Sequence, residues 1–135
     1  MTRDLEQQLN EIQLDMIALC YEYAQKKVDE IFIYISLGEF LYTDFFFKRD
    51  ERVTKKHEIQ EASVDLQKKA LAILLDDAKK IASIFSSNKQ DIPSQVKIEF
   101  DVAKKELEVD YDYSNLNSEK IYDKDLFNSW VDSQS

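Results

Sequence analysis

With 135 residues and 44% apolar content, the chain suffices for one domain, 1–135, with its own core, since a chain of this size buries roughly two thirds of its unfolded surface. Its formal charge of −9 disfavours nucleic acid as a partner, because phosphate binding requires clustered Lys and Arg. Cys20 is the single cysteine, and one Pro and one Gly leave no flexible linker or low-complexity tail; an intramolecular disulfide is excluded, which suits a reducing cytosol.

The N-terminus, "MTRDLEQQLNE", has no apolar run behind its charge and does not read as a signal peptide. Leu5, Leu9, Ile12, Met16, Leu19, Cys20 and Tyr23 recur at steps of three and four, which predicts an amphipathic helix over about 3–27. Lys26 and Lys27 would then sit in its last turn, at the negative end of the helix dipole. The period then changes. "DEIFIYISLGEFLYTDFFFK" predicts a hairpin with strands near 30–36 and 40–48, and Gly38 is expected to supply a left-handed turn residue. Imperfect alternation in "FLYTDFFF" suggests that the second strand is covered on both faces, with one of Phe45, Phe46 and Phe47 turned from the main core. "RDER" is a charged turn, and "VTKKHEI" a short third strand.

From Ser63 to Phe85 the helical period returns, with Val64, Leu71, Leu74, Leu75, Ala78, Ile81, Ala82 and Phe85 on one stripe. "SSNKQDIP" ends this helix. "VKIEFDVAKKELEVDYD" predicts a closing hairpin with "VAKK" as its turn. "DKDLFNSWVD" reads as a last short helix turning Leu126, Phe127 and Trp130 inward. The order α-β-β-β-α-β-β-α predicts an α+β fold: a mainly antiparallel sheet of about five strands with helices against it. No segment reaches the 18 or so apolar residues of a membrane span, so a cytoplasmic location without membrane attachment is expected.

The charge is unevenly spread. Residues 1–30 carry seven acids against three bases, 31–95 ten of each, and 96–135 ten acids against five bases. In the closing hairpin, the expected register sets Phe100 opposite Leu107, Ile98 opposite Val109 and Val96 opposite Tyr111. On the other face Asp101 meets Glu106, Glu99 meets Glu108, and Lys97 meets Asp110. Like charges directly opposite are destabilising, and sliding the register by two residues still leaves an acid pair. Two readings stand. Solvent screening or deterrence of edge-to-edge aggregation explains the row of Glu106, Glu108, Asp110 and Asp112 as a solvated face. Alternatively, together with Glu99 and Asp101, these acids form a docking surface whose repulsion a partner's Lys and Arg relieve.

"KKELEVDYDYSNL" resembles the strand that closes the sheet in the YezG-like immunity (antitoxin) family of bacterial polymorphic toxin systems, with Tyr111, Asp112 and Tyr113 as the shared motif. "VDEIFIYIS" is similar to that family's first strand, after an N-terminal helix of similar length, and the similarity runs over about residues 1–116. Where the family carries Gly before its last strand, this chain has Lys104 or Lys105. The resemblance implies a cytoplasmic immunity protein that binds and blocks a secreted toxin, in known members often a nuclease, whose basic groove an acidic strand face would occupy. The same element order, size and acidity also fit the small acidic chaperones of type III secretion effectors, an alternative of a different class.

The chemistry-bearing residue types form no enzyme site. His57 is the single histidine and sits in a charged segment, so its expected role is a solvated strand residue. One Cys and one His make no zinc set; Cys20 lies on the apolar stripe of the first helix. Asp76 and Asp77 are neighbours about 100° apart on a helix, a poor acid–base pair. Lys48, Arg49, Arg52, Lys55 and Lys56 are interrupted by Asp50, Glu51 and Glu58. No catalytic residue, cofactor, metal or small-molecule substrate is expected.

Overall fold

The period-2 segments form strands in the computed structural model of the chain, which describes residues 3–38, 40–60, 62–114 and 123–135. The elements are α1 (Arg3–Tyr23), β1 (Glu30–Ser36), β2 (Tyr42–Arg49), β3 (Arg52–Lys55), a single 3-10 turn (Lys56–Glu58), α2 (Val64–Ser87), β4 (Gln95–Asp101), β5 (Glu106–Asp112) and α3 (Asp123–Ser133). The fold is α+β in the expected order. All strand pairings are antiparallel, and the sheet runs β3-β2-β1-β4-β5, so the two hairpins join through β1 and β4.

Alternation in the strands builds two cores. Ile31, Ile33, Ile35, Phe45, Phe47, Val96 and Ile98 project onto one face, where Leu5, Leu9, Met16 and Cys20 of α1 and Leu74, Ala78, Ile81 and Phe85 of α2 cover them. Phe32, Tyr34 and Phe46 project the other way and meet Phe127, Trp130 and Val131 of α3 in a smaller core. The triple phenylalanine is thereby explained. Phe46 turns from the main core yet is as fully buried as Phe45 and Phe47, stacked on Phe32 at a centroid distance of 4.5 Å, with Trp130 edge-on at 5.3 Å. Tyr34 holds α3 in place: its hydroxyl donates to Asp123 Oδ1 at 3.1 Å and accepts from the Gln95 amide.

Local chemistry sets the element ends. Ser63 Oγ accepts the Leu66 N–H at 3.1 Å and caps α2, satisfying one of the N–H groups the first helical turn leaves unpaired. Val64, expected on the buried stripe of this helix, instead lies exposed in its first turn. Asp44, buried between the strands and the 3-10 turn, takes an ion pair from Lys56 at 2.8 Å, the Tyr42 hydroxyl at 3.0 Å and the Phe45 N–H at 2.8 Å, as a buried carboxylate must to offset its desolvation.

Several boundaries differ from expectation. α1 stops at Tyr23 because Gln25 and Lys26 adopt left-handed backbone, φ 58° and 59°, so Lys26 and Lys27 lie beyond its last turn. β2 begins at Tyr42. The third strand stops at Lys55, and His57 sits exposed in the 3-10 turn, not in a strand. Gly38 does not take a positive φ; a Cβ there would meet open space. The left-handed turn positions fall instead on Asp50 and Glu51 (φ 53° and 66°), Lys89 and Lys105 (φ 57° and 54°). Asp50 and Glu51 make the two-residue β2–β3 turn, whose primed geometry matches strand twist, and the Asp50 N–H is held by Asp29 Oδ2 at 2.7 Å.

Candidate functional site

α3 covers the sheet face over β1 and β2 and ends against Lys97, whose ammonium lies 5.6 Å from the centre of the Trp130 ring. Among the described residues, the β4–β5 half of that face beyond Trp130 has no helix over it. The closing hairpin adopts the expected register, with Asp101 opposite Glu106, Glu99 opposite Glu108, Lys97 opposite Asp110 and Gln95 opposite Asp112. Because the apolar partners Phe100–Leu107, Ile98–Val109 and Val96–Tyr111 must face α1 and α2, the pleat sends every one of these acids to the open side.

All six predicted residues, Glu99, Asp101, Glu106, Glu108, Asp110 and Asp112, therefore share one surface. Glu30 joins them, since β1 pairs with β4 and sets Glu30 beside Asp101. Sequence reasoning missed Glu30 because its neighbours are about seventy residues away along the chain, and only the β1–β4 pairing brings them together. Glu106, Glu108 and Asp110 are exposed, whereas Glu30, Glu99, Asp101 and Asp112 are half-buried.

The electrostatics follow from this packing. Burial, then the carboxylates of Glu108 and Glu30, push the Glu99 carboxyl above its ordinary range, and Lys48 and Lys97 offset only part of the effect. Asp112 behaves oppositely: hydrogen bonding from the Ser114 side chain, and then from the Ser114 N–H to Oδ1 at 2.8 Å, holds it below the ordinary range. Lys97 shares a register position with Asp110, yet its ammonium lies over Trp130 and no ion pair joins the two among the described residues, contrary to the favourable pair expected from sequence. Lys48 reaches Glu30 at 3.9 Å. Two shallow depressions, of about 190 and 280 Å³, flank the Glu99–Glu108 pair.

The other chemistry-bearing residues do not converge. Among the described residues no three His, Cys, Asp or Glu side chains are placed to hold a metal ion. Burial pushes the Cys20 thiol up, which keeps it protonated and unreactive. Asp76 and Asp77 each face a lysine of the next turn, Lys79 at 3.9 Å and Lys80 at 3.7 Å. The basic cluster is divided: Lys48 turns to Glu30 and Lys56 to Asp44. No helix among the described residues is long and apolar enough to cross a membrane. Compared with known proteins, the chain matches no family model, and no curated sequence is significantly similar.

Proposed function

We propose that the chain is a cytoplasmic immunity protein that neutralises a secreted bacterial toxin, a nuclease being the best fit, by covering the toxin's basic surface with the open acidic half-face. One observation carries this reading: seven carboxylates of β1, β4 and β5 share the half-face that α3 leaves uncovered, and Glu99 among them already resists ionisation. Such an arrangement is destabilising alone and is relieved when Lys and Arg side chains approach. The similarity of "KKELEVDYDYSNL" to the closing strand of the YezG-like family supports the same reading.

The mechanism is competition. A nuclease binds phosphate through clustered cations, and carboxylates along a strand repeat about every 6.8 Å, two residues of strand rise, roughly the spacing of successive phosphates along an extended nucleic-acid strand. Docked there, the acidic face excludes the substrate without any chemistry of its own. Long-range attraction between the two surfaces speeds association.

The test is co-expression with the product of the adjacent gene. The expected result is a stable complex, with nuclease activity inhibited competitively with nucleic acid and association slowed by added salt. A complex formed only with an unfolded type III effector would favour the chaperone alternative and overturn the immunity reading.

A further inference from the structure

We propose that the basic partner docks by adding a strand to the outer edge of β5, with its Lys and Arg side chains on the acidic face and its intervening apolar side chains in the groove below α1. This rests on the acidic-face reading above and specifies how that face is engaged.

The backbone directions come from the strand ladders. The Leu37 N–H donates to the Ser94 carbonyl at 2.8 Å and the Val102 N–H to the Asp29 carbonyl at 2.9 Å, which identifies the β4 residues that bond to β1. Backbone groups alternate along an antiparallel strand, so Lys97, Glu99 and Asp101 bond to Asp110, Glu108 and Glu106. The N–H and C=O groups of Leu107, Val109 and Tyr111 consequently point away from β4. Among the described residues nothing pairs with this seven-residue edge. The opposite edge, β3, is only four residues long and carries Arg52 and Lys55, a common protection against pairing.

A second feature lies beside the same edge. Between α1 and β5 runs a groove of about 620 Å³, floored by Leu107, Val109 and Tyr111 and walled by Leu9 together with the polar side chains of Glu6, Gln7, Asn10 and Gln13. The three floor residues are only half-buried, and Gln13 Nε2 fixes the Tyr111 hydroxyl at 2.7 Å. A strand laid about 4.8 Å from β5 sends alternate side chains into this groove and the others beside Glu106, Glu108, Asp110 and Asp112.

Charge decides the occupant. A second copy of this chain pairing β5 against β5 would bring two acidic rows together on one face, which repels. A strand with Lys or Arg at every second position and apolar residues between complements both faces at once.

The probe is a synthetic peptide of about nine residues alternating Lys and Val, compared with its fully N-methylated analogue, equal in charge but unable to form a ladder. Calorimetry and amide hydrogen exchange are read on the wild-type protein, on Val109→Pro, which removes an outward N–H at a site where an edge strand tolerates Pro, and on Glu108→Lys/Asp110→Lys. The expected result is slowed exchange at Leu107, Val109 and Tyr111 with the parent peptide, and binding at least about tenfold weaker for the N-methylated analogue and for Val109→Pro. If Val109→Pro does not fold, the peptide pair decides alone. Equal binding of the two peptides, with both lost in the charge-reversed protein, would overturn strand addition while leaving the acidic-face reading intact. No binding of either peptide, with no effect of charge reversal on the toxin complex, would overturn both. A dimer that itself protects these three amides would assign the edge to a second copy and overturn the proposal.

Discussion

Reversing two charges on β5, Glu108→Lys together with Asp110→Lys, separates a docking face from a solubility device. In the free protein the two changes nearly cancel. Glu108 faces Glu99, and opposed like charges cost a fraction of a kcal/mol, so a lysine at 108 converts a repulsion into an attraction. Asp110 faces Lys97, whose ammonium lies over Trp130 and not in an ion pair, so a lysine at 110 introduces a repulsion of the same small size. Both positions are exposed, and the net change should stay within about 0.5 kcal/mol, roughly 2–3 °C in Tm. Binding should respond differently. Close interfacial charge pairs couple by about 1.5–7 kcal/mol; two pairs at the low end give about 3 kcal/mol, or roughly a 150-fold rise in Kd. Circular dichroism and thermal melting check the fold, and calorimetry against the basic toxin domain checks the binding. A folded double variant with unchanged affinity would refute the docking role and return the row to a solvated face.

Phe85 is fully buried and meets Tyr111 edge-on at 5.7 Å; Phe85→Ala should cost about 3–5 kcal/mol in urea unfolding, and a change below about 1 kcal/mol would contradict the packing of α2 on β5. Glu51 holds φ at 66° in a two-residue turn, where left-handed backbone costs a non-glycine residue about 1–2 kcal/mol. Glu51→Gly creates the favoured Asp-Gly pair, and allowing for glycine's extra entropy it should stabilise by up to about 1 kcal/mol; a lower Tm would rule out this turn geometry. Because the Glu99 carboxyl is raised by burial and then by Glu108 and Glu30, the folded state binds this proton at higher pH than the unfolded chain. Stability attributable to it is therefore present below the ordinary carboxylate range and falls as pH rises through the raised value. Glu99→Gln should accordingly exceed wild type in stability at neutral pH by a fraction of a kcal/mol, and the difference should close in acid; a pH-independent difference would disprove the assignment.

Local pattern was enough for the element order and for one register. In β4–β5 both strands alternate and a short turn joins them, so placing Phe100, Ile98 and Val96 against Leu107, Val109 and Tyr111 follows from one-face burial, and the six acids come along by the pleat. The stripes of α1 and α2 and the inward set of α3 were readable for the same reason: their burial repeats at the period of the element. Helix ends and turns were less legible. With a single glycine in the chain, left-handed positions fall on Gln25, Lys26, Asp50, Glu51, Lys89 and Lys105, of which only Asp50 is a residue type enriched in such backbone, while Gly38 does not use its freedom.

What only the tertiary structure decided is non-local. The pairing of β1 with β4 joins segments about seventy residues apart and adds Glu30 to the acidic surface. The choice of α3 to cover Phe32, Tyr34 and Phe46 depends on segments 89 residues apart meeting at the Tyr34–Asp123 hydrogen bond, and it leaves the acids open on one side. The position of β5 at the sheet edge is likewise a property of strand order, since no residue within a strand records whether a neighbour lies beyond it. Periodicity states which side chains share a face, because that depends on the geometry of one element; which face is then covered depends on contacts between elements far apart in the chain.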